Sequence, residues 1–312
     1  MDTPDPGDIA AAFALGEPRG GLVHVRRGDA DVWRLDTTSG SYFVKGYLPG
    51  ADQPRAAAMD FERLALEAGV TTPAPIVPAD PLLGWVTRID GRLFRAYRWI
   101  EHSTSDWDIP TWLGQTMHEI HQLQPLGPIG LPPWWRQADL ATWESWRTKA
   151  GKKPWVDLYA ATLPHIEGVC ARIEDLSGSA PDIVTTHGDF KIHNIVMSAN
   201  GPVLVDWDSV RTDSAALEAG RAAYVFGRGE PERVRTILAA YSAAGGELAW
   251  AGPDLFLSVS RNHLQVLADL IQVSLDETPA ARWMGDPATI DATITEKLRD
   301  LPGGLDQLRI SS

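Results

Sequence analysis

The sequence predicts an α+β fold, with a strand-rich N-terminal third and a helix-rich remainder. Three observations carry this reading. Short β-like runs bounded by glycine and polar turn residues fill residues 22–45. From about residue 110 the apolar residues recur instead at helical spacing, as in Leu113, Met117, Ile120 and Leu123. At 312 residues the chain is long enough for two lobes, each with its own core. The change of pattern places a hinge near Arg98–Glu101, so residues 1–98 are expected to form one lobe and 99–312 the other.

Taken in order, residues 8–15 read as a short helix with Asp8 as N-cap and Gly16 as its stop. The runs Leu22–Arg26, Asp31–Leu35 and Ser41–Lys45, joined by turns at Gly28-Asp29 and Ser39-Gly40, predict an antiparallel meander. A helix over 55–68 follows, between Asp52 and Gly69, and a proline-rich connector (Thr72–Pro75) leads to strands near 84–88 and 92–99. Helices are predicted over 111–123, 139–149, 156–175, 216–227, 231–244, 254–276 and 288–299. No internal repeat or low-complexity segment interrupts them.

Composition excludes several classes of function. Apolar residues make up 44% and charged residues 22%, as in soluble globular proteins. The single cysteine, Cys170, excludes an internal disulfide and a cysteine-based zinc cage, and reads as a small buried hydrophobe. No run approaches the ~18 apolar residues of a membrane span. The first residues also lack a basic stretch followed by an apolar one, so a cytoplasmic protein with no membrane partner is expected. A net charge of −13 argues against a nucleic-acid partner, whose phosphates demand accumulated Lys and Arg, and suits a cationic ligand.

The most informative segment is His187-Gly188-Asp189-Phe190-Lys191-Ile192-His193-Asn194, followed twelve residues later by Asp206. Asp189 precedes the amide Asn194 by five residues, and Asp206 lies just past a tight turn. This arrangement suits Mg²⁺-assisted phosphoryl transfer, which needs one group to orient an attacking hydroxyl and two oxygen ligands for the metal on the nucleotide phosphates. Asn200-Gly201 is a strong hairpin signal. With those two residues central, 195 pairs with 206, and Asn194 lies within one residue of being opposite Asp206. Asn194 and Asp206 are thereby the expected metal ligands and Asp189 the residue that handles the hydroxyl proton.

This run resembles the catalytic loop of the aminoglycoside phosphotransferase family, in the form H-G-D-x-x-x-x-N followed by I-D-W or I-D-F, here Val205-Asp206-Trp207-Asp208. Asp213 and Glu218 resemble the acidic positions of the family's next segment, with Ser214 where the family often has proline. The resemblance implies a protein-kinase-like two-lobe fold, with an N-terminal antiparallel sheet bearing one main helix and a mostly helical C-terminal lobe. It also implies ATP (or GTP) and Mg²⁺ as cofactors.

On that reading Lys45, on the third strand, anchors the nucleotide phosphates, and Glu62 on the next helix is its expected carboxylate partner, with Glu67 as rival. Arg26–Asp29 is the expected phosphate-covering turn, and backbone groups of the hinge, Trp99 and Ile100 among them, are expected on the purine. Lys191 stands where many antibiotic kinases have histidine and protein kinases have lysine; it would neutralise charge on the transferred group or remain a solvated loop lysine. His187 orders the loop. Asp208 either contacts metal or orders the loop. No G-x-x-x-x-G-K-S/T segment is present, which excludes a P-loop.

In the resembling family the C-terminal helices line the acceptor pocket. Asp269, Asp276 and Glu277 are the candidates there, since residues 236–281 hold one basic side chain, Arg261, against several acids. Trp107, Trp134, Trp135 and Trp283 would stack on a sugar or cation, or simply pack. His118 and His121 read as packed helix residues.

The expected function is ATP-dependent phosphoryl transfer to a hydroxyl of a small, cationic molecule, foremost an antibiotic such as an aminoglycoside or basic cyclic peptide. The alternatives are a metabolic kinase for choline, homoserine or a sugar, and a catalytically inactive nucleotide-binding scaffold. The protein is expected as a monomer or homodimer.

Overall fold

The computed structural model describes residues 3–27, 30–48, 56–123, 138–177 and 181–311. In chain order the elements begin with α1 (Pro6–Ala12), β1 (Val23–Arg27), β2 (Ala30–Thr37), β3 (Gly40–Tyr47), α2 (Ala56–Glu67), β4 (Thr87–Ile89), β5 (Arg92–Arg98) and α3 (Ile109–Gln122). There follow α4 (Leu140–Lys149), α5 (Val156–Ser177), β6 (Ile183–Thr186), β7 (Ile195–Ser198), β8 (Gly201–Leu204), β9 (Arg211–Ser214), α6 (Ala215–Gly227), α7 (Pro231–Ala243), α8 (Leu257–Ser274) and α9 (Ile290–Ser311). The expected turn at Gly28-Asp29, the cap at Asp52, and Trp134 and Trp135 lie outside the described residues.

The chain forms two compact units. The first holds the described residues up to Trp107 together with His193–Val210. Its centre is a five-stranded antiparallel sheet in the order β1-β2-β3-β5-β4. Alternating residues of β2, β3 and β5 (Trp33, Leu35, Tyr42, Val44, Phe94, Ala96) bury one face against Ile9, Ala10, Phe13 and Leu15 of the N-terminal segment.

The first helix differs from expectation. Asp5, not Asp8, is its N-cap, accepting from the Gly7 N–H at 2.7 Å, with Pro6 at the first helical position, where its missing N–H costs nothing. The helix stops early because Ala14 turns to φ 52°.

The hairpin β7–β8 belongs to this same unit rather than to the helical part. The Leu204 N–H donates to Thr71 O at 2.9 Å, and the Trp207 indole N–H to Thr72 Oγ1 at 2.9 Å, which fastens the hairpin to the proline-rich connector.

The second unit holds the described residues from Asp108 to Ile192 and from Arg211 onward. Asp108 caps α3 ahead of Pro110, and Asp139 caps α4. Its main core is aromatic: Trp143, Trp146, Trp155 and Tyr159 pack with Leu264, Leu267 and Ile271 of α8 and Ile290 and Ile294 of α9. Cys170 is buried in the same cluster. Gly220 lets α6 pass close to its neighbour, since a Cβ there would stand 2.2 Å from Leu255 O. Strands β6 and β9 pair antiparallel at the base of the loop that carries Asp189. Among the described residues no helix is long and apolar enough to cross a membrane.

Candidate active site

The first unit gathers one set of expected residues. The hairpin pairs Ile195 with Leu204 and Ser198 with Gly201, so its central residues are Ala199-Asn200 and the register is displaced by two from the Asn200-Gly201 expectation. The Ser198 hydroxyl decides the matter: it accepts from the Asn200 N–H at 3.1 Å and donates to Gly201 O at 2.7 Å. Asn194 consequently meets Val205, whose N–H donates to Asn194 O at 2.9 Å, one residue short of Asp206. Asp206 itself takes a left-handed backbone, φ 71° and ψ 65°. That conformation costs a non-glycine residue on the order of 1 kcal/mol and gathers at functional positions.

The Lys45 ammonium lies between two carboxylates, 2.6 Å from Asp206 Oδ1 and 2.7 Å from Asp208 Oδ2. Burial disfavours its charge, but Asp206 and Asp208 outweigh that and hold its pKa well above the usual lysine value. Asp208 also accepts from Arg95 Nη1 at 2.7 Å and from the Tyr47 hydroxyl at 3.0 Å. Burial pushes the Asp208 carboxyl up, and Lys45 and Arg95 together bring it below the ordinary value.

The expected Lys45–Glu62 pair is replaced by another. Glu62 is buried on α2 and its carboxylate is taken by Arg95 of β5 and by the Tyr97 hydroxyl, the latter at 2.8 Å. Burial raises the Glu62 pKa, with Arg95 opposing. The reason lies in the strand: the stretch Phe94–Tyr97 is wholly buried, and a guanidinium there requires an acid within reach. Glu67 instead pairs with Arg63 on the exposed side of α2.

A cavity of about 610 Å³ opens in the same unit, lined by the connector Thr71–Ile76, the hinge Arg98–Glu101 and the hairpin turn Ser198–Asn200. The Trp99 N–H extends the sheet by donating to Ser41 O at 3.0 Å, and its indole stacks under Arg34. Ile100 lines the cavity beside it. Trp107 donates its indole N–H to Ser198 O at 3.3 Å and is part of this unit's hairpin packing.

The second unit holds Asp189 on a tightly fixed loop. Gly188 takes φ 84°, its N–H donates to Glu218 Oε1 at 2.5 Å, and its carbonyl accepts from Arg211 and, at 3.1 Å, from Arg221. His187 is fully buried and its Nδ1 accepts from the Asp189 N–H at 3.3 Å, so it orders the loop. Glu218 passes its other oxygen to His121 Nε2 at 2.9 Å, and His121 Nδ1 meets the Tyr241 hydroxyl at 2.9 Å. Asp213 accepts from Arg261 at 2.6 Å and from Arg211 at 3.3 Å.

The Asp189 carboxylate faces two cations, Lys191 at 2.5 Å and Arg221 at 3.4 Å. Burial would raise its pKa, but Lys191 and Arg221 lower it, so the group is anionic at neutral pH.

The three acceptor candidates fall apart in character. Asp269 is half-buried on α8, accepts from Gln265 Nε2 at 2.7 Å, and has its pKa raised by burial. Asp276 is exposed at a left-handed turn, φ 58°. Glu277 ties α4 to the end of α8 by accepting from Lys149 and from the Trp146 indole N–H, which together lower its pKa. Trp283 is exposed.

Arg95, Arg221 and the Glu218–His121 relay went unnoticed in the sequence. Only Arg95 leaves a readable signal, an arginine at the centre of the short run Leu93–Tyr97 whose other residues are apolar or aromatic.

The donor chemistry fits a hard divalent cation. Two carboxylates, Asp206 and Asp208, converge on the Lys45 ammonium, and their hard oxygens are of the donor type such an ion takes. Among the described residues no cluster of three or more acidic, histidine or cysteine side chains could hold a metal alone.

Comparisons with known proteins locate this architecture. A spectinomycin phosphotransferase, solved with ADP and spectinomycin, superposes with a TM-score of 0.60 at 15% identity, covering 92% of this chain and 94% of that one. A choline/ethanolamine kinase family protein from Mesorhizobium loti gives 0.63 at 17% identity, with 98% of each chain covered. An amicoumacin kinase, solved with AMP-PNP and Ca²⁺, gives 0.64 at 14% identity, covering 95% and 91%. The fold is therefore protein-kinase-like, as the sequence predicts. No curated protein sequence matches the chain. The family model described as "Phosphotransferase enzyme family" matches residues 25–255, and the chain belongs to that family.

Proposed function

We propose that this protein transfers the γ-phosphoryl group of ATP (or GTP) to a hydroxyl of a small molecule, with Mg²⁺ on the nucleotide phosphates. The observation that carries this reading is the convergence of Asp206 and Asp208 on Lys45 in the unit that also holds the hinge cavity. Lys45 would bind the phosphates, the hinge at Trp99 and Ile100 the base, and Asn194 and Asp206 the metal. Asp189, held anionic, would accept the acceptor's proton, while Lys191 offsets charge on the group in transfer. Glu62 would act through Arg95 rather than by touching Lys45. A divalent metal held by Asn194 and Asp206 would supply charge neutralisation on the phosphates, lowering their repulsion toward the attacking oxygen.

The acceptor is proposed to be a cationic antibiotic, an aminoglycoside or basic cyclic peptide, because the chain is acidic and its relatives in fold include a spectinomycin phosphotransferase and an amicoumacin kinase. A metabolic acceptor of the choline, homoserine or sugar type is the second reading. It is favoured by the engagement of Glu277 with Lys149 and Trp146, which withdraws one of the expected acidic wall residues. A cytoplasmic monomer or homodimer fits either.

The test is ³¹P NMR of ATP and Mg²⁺ with aminoglycosides, basic peptides, choline, homoserine and sugars in turn. A new phosphate ester with one class identifies the acceptor. Nucleotide binding without any ester, across all classes, would favour the inactive scaffold.

A further inference from the structure

Helix α6 is built of alanine, glycine, apolar and aromatic residues, interrupted by two charges, Glu218 and Arg221. Three apart, the two share one face of the helix. Both act on the same turn of the second unit. Glu218 Oε1 accepts from the Gly188 N–H at 2.5 Å, and Arg221 Nη1 donates to the Gly188 carbonyl at 3.1 Å. The guanidinium fork reaches further: its Nη2 lies 3.4 Å from Asp189 Oδ1, so one side chain spans the backbone of the turn and the carboxylate that the turn presents.

Asp189 is thus shared by two cations of different freedom. Lys191 takes the other oxygen, Oδ2, at 2.5 Å from a side chain that is 35% exposed, whereas Arg221 is 12% exposed. A part-exposed ammonium on a flexible stem can swing to a new anion, while a guanidinium tied at two points of a buried turn keeps its place. In the proposed reaction Lys191 turns to the phosphoryl group in transfer. If it were the sole counter-charge, the Asp189 carboxylate, 13% exposed, would then be left with no cation at the moment it is needed.

Resting on the phosphotransferase reading, we propose that Arg221 is the positioning residue of Asp189: it fixes the direction of the carboxylate through the Gly188 carbonyl and keeps it paired when Lys191 leaves for the transferred group. Lys191 is the exchangeable partner and Arg221 the permanent one. No bond is made or broken in the exchange; the ammonium changes anions while the guanidinium stays. Burial opposes the Asp189 charge, and Lys191, Arg221 and His187 favour it. On the far side of Arg221, burial, Lys297 and Arg221 itself lower the pKa of His263 on α8, which keeps that side chain neutral at pH 7.

The first test needs neither acceptor nor nucleotide. Carbon-13 NMR of protein labelled at its aspartate carboxyls follows Asp189 as pH falls from 7, its signal identified by its absence in Asp189→Asn. In Arg221→Gln, protonation of Asp189 is expected to begin at a pH about 1 or more higher than in wild type, because a favourable cation is gone. Arg221→Lys keeps the charge and should titrate close to wild type. Lys191→Met imitates the state in which Lys191 has left, and Asp189 should remain ionised there at pH 7. That variant keeps the proposal testable even if Arg221→Gln folds poorly.

The second test is turnover of Mg-ATP with water as acceptor, read as release of inorganic phosphate. Arg221→Gln should lower kcat roughly tenfold or more with KM for ATP within about twofold of wild type, the mark of a displaced reacting group. Arg221→Lys, which can hold Asp189 or the Gly188 carbonyl but not both, should fall between. An Asp189 titration or a kcat unmoved by Arg221→Gln would overturn the proposal, as would an Asp189 protonated at pH 7 in Lys191→Met. A wild type that binds no ADP and releases no phosphate, with the titrations as expected, would instead overturn the phosphotransferase reading.

Discussion

The two units treat their charges differently. In the first, Lys45, Asp206, Asp208, Arg95 and Glu62 form one continuous network, buried at Arg95 and Glu62 and partly exposed at the two aspartates, with each charge opposite another. In the second, the loop around Asp189 is equally well fixed, but the acidic residues expected to receive the acceptor do not act together. Asp269 pairs with a glutamine, Asp276 is solvated, and Glu277 fastens two helices. A site for phosphates and metal is the same for every acceptor, so its residue types are dictated by one chemistry. A site for the acceptor follows the shape of one molecule and leaves no fixed pattern in the chain.

That contrast can be broken first at Asp189. Asp189→Ala should lower kcat by about 10²–10⁴-fold, the usual contribution of a positioned acid or base, while nucleotide affinity measured by calorimetry stays within about twofold of wild type. Retained turnover would remove Asp189 from the proposed role.

Next in size is Arg95. Replacing it with methionine leaves Glu62 buried without its cation and Asp208 with Lys45 alone, which should cost roughly 3–5 kcal/mol in urea unfolding. A loss near zero would mean that the network is incidental to the first unit.

A smaller effect belongs to the loop support. Glu218→Ala strands the Gly188 N–H and His121, and should destabilise by about 1–3 kcal/mol while lowering kcat, since Asp189 loses its fixed backbone.

The acid limb of stability offers a further comparison. Burial would raise the Asp213 pKa, but Arg261 and Arg211 lower it below the ordinary value near 3.8. The stability it contributes is therefore fully present above that value and lost as pH falls through the lowered folded pKa. Asp213→Asn should be less stable at pH 7, with a shallower decline below about pH 4, as followed by circular dichroism. Smallest of all, Glu277→Ala should cost at most about 1 kcal/mol, because its ion pair with Lys149 is largely solvated. A marked rise in acceptor KM for that variant would restore Glu277 to the acceptor pocket.

The parts legible in the sequence were those set by local patterning or by invariant chemistry. Alternation in Ser41–Lys45 and the helical spacing of Leu113, Met117 and Ile120 identified their elements because burial there follows the backbone period. The hairpin was seen, but its register was displaced by two because a serine hydroxyl closed the turn ahead of Asn200-Gly201. The helix start at Asp5 was missed because two aspartates stand three apart and only one has proline after it. The Lys45–Glu62 pairing failed for a tertiary reason. Arg95 lies 33 residues from Glu62, and no spacing rule connects a strand arginine to a helix glutamate at that separation. Arg221 leaves no signal for the same cause, and His121 reads only as the packed helix residue it is, since each acquires its further role through the loop at Gly188 and the carboxylate of Glu218.

The central claim is that Lys45 anchors a nucleotide beside the Asp206–Asp208 pair. The most direct measurement is calorimetric titration of AMP-PNP with Mg²⁺ into wild type and into Lys45→Met. Saturable binding by wild type, weakened at least tenfold in the variant, is the predicted result; no binding by wild type, or equal affinity in both proteins, would contradict it.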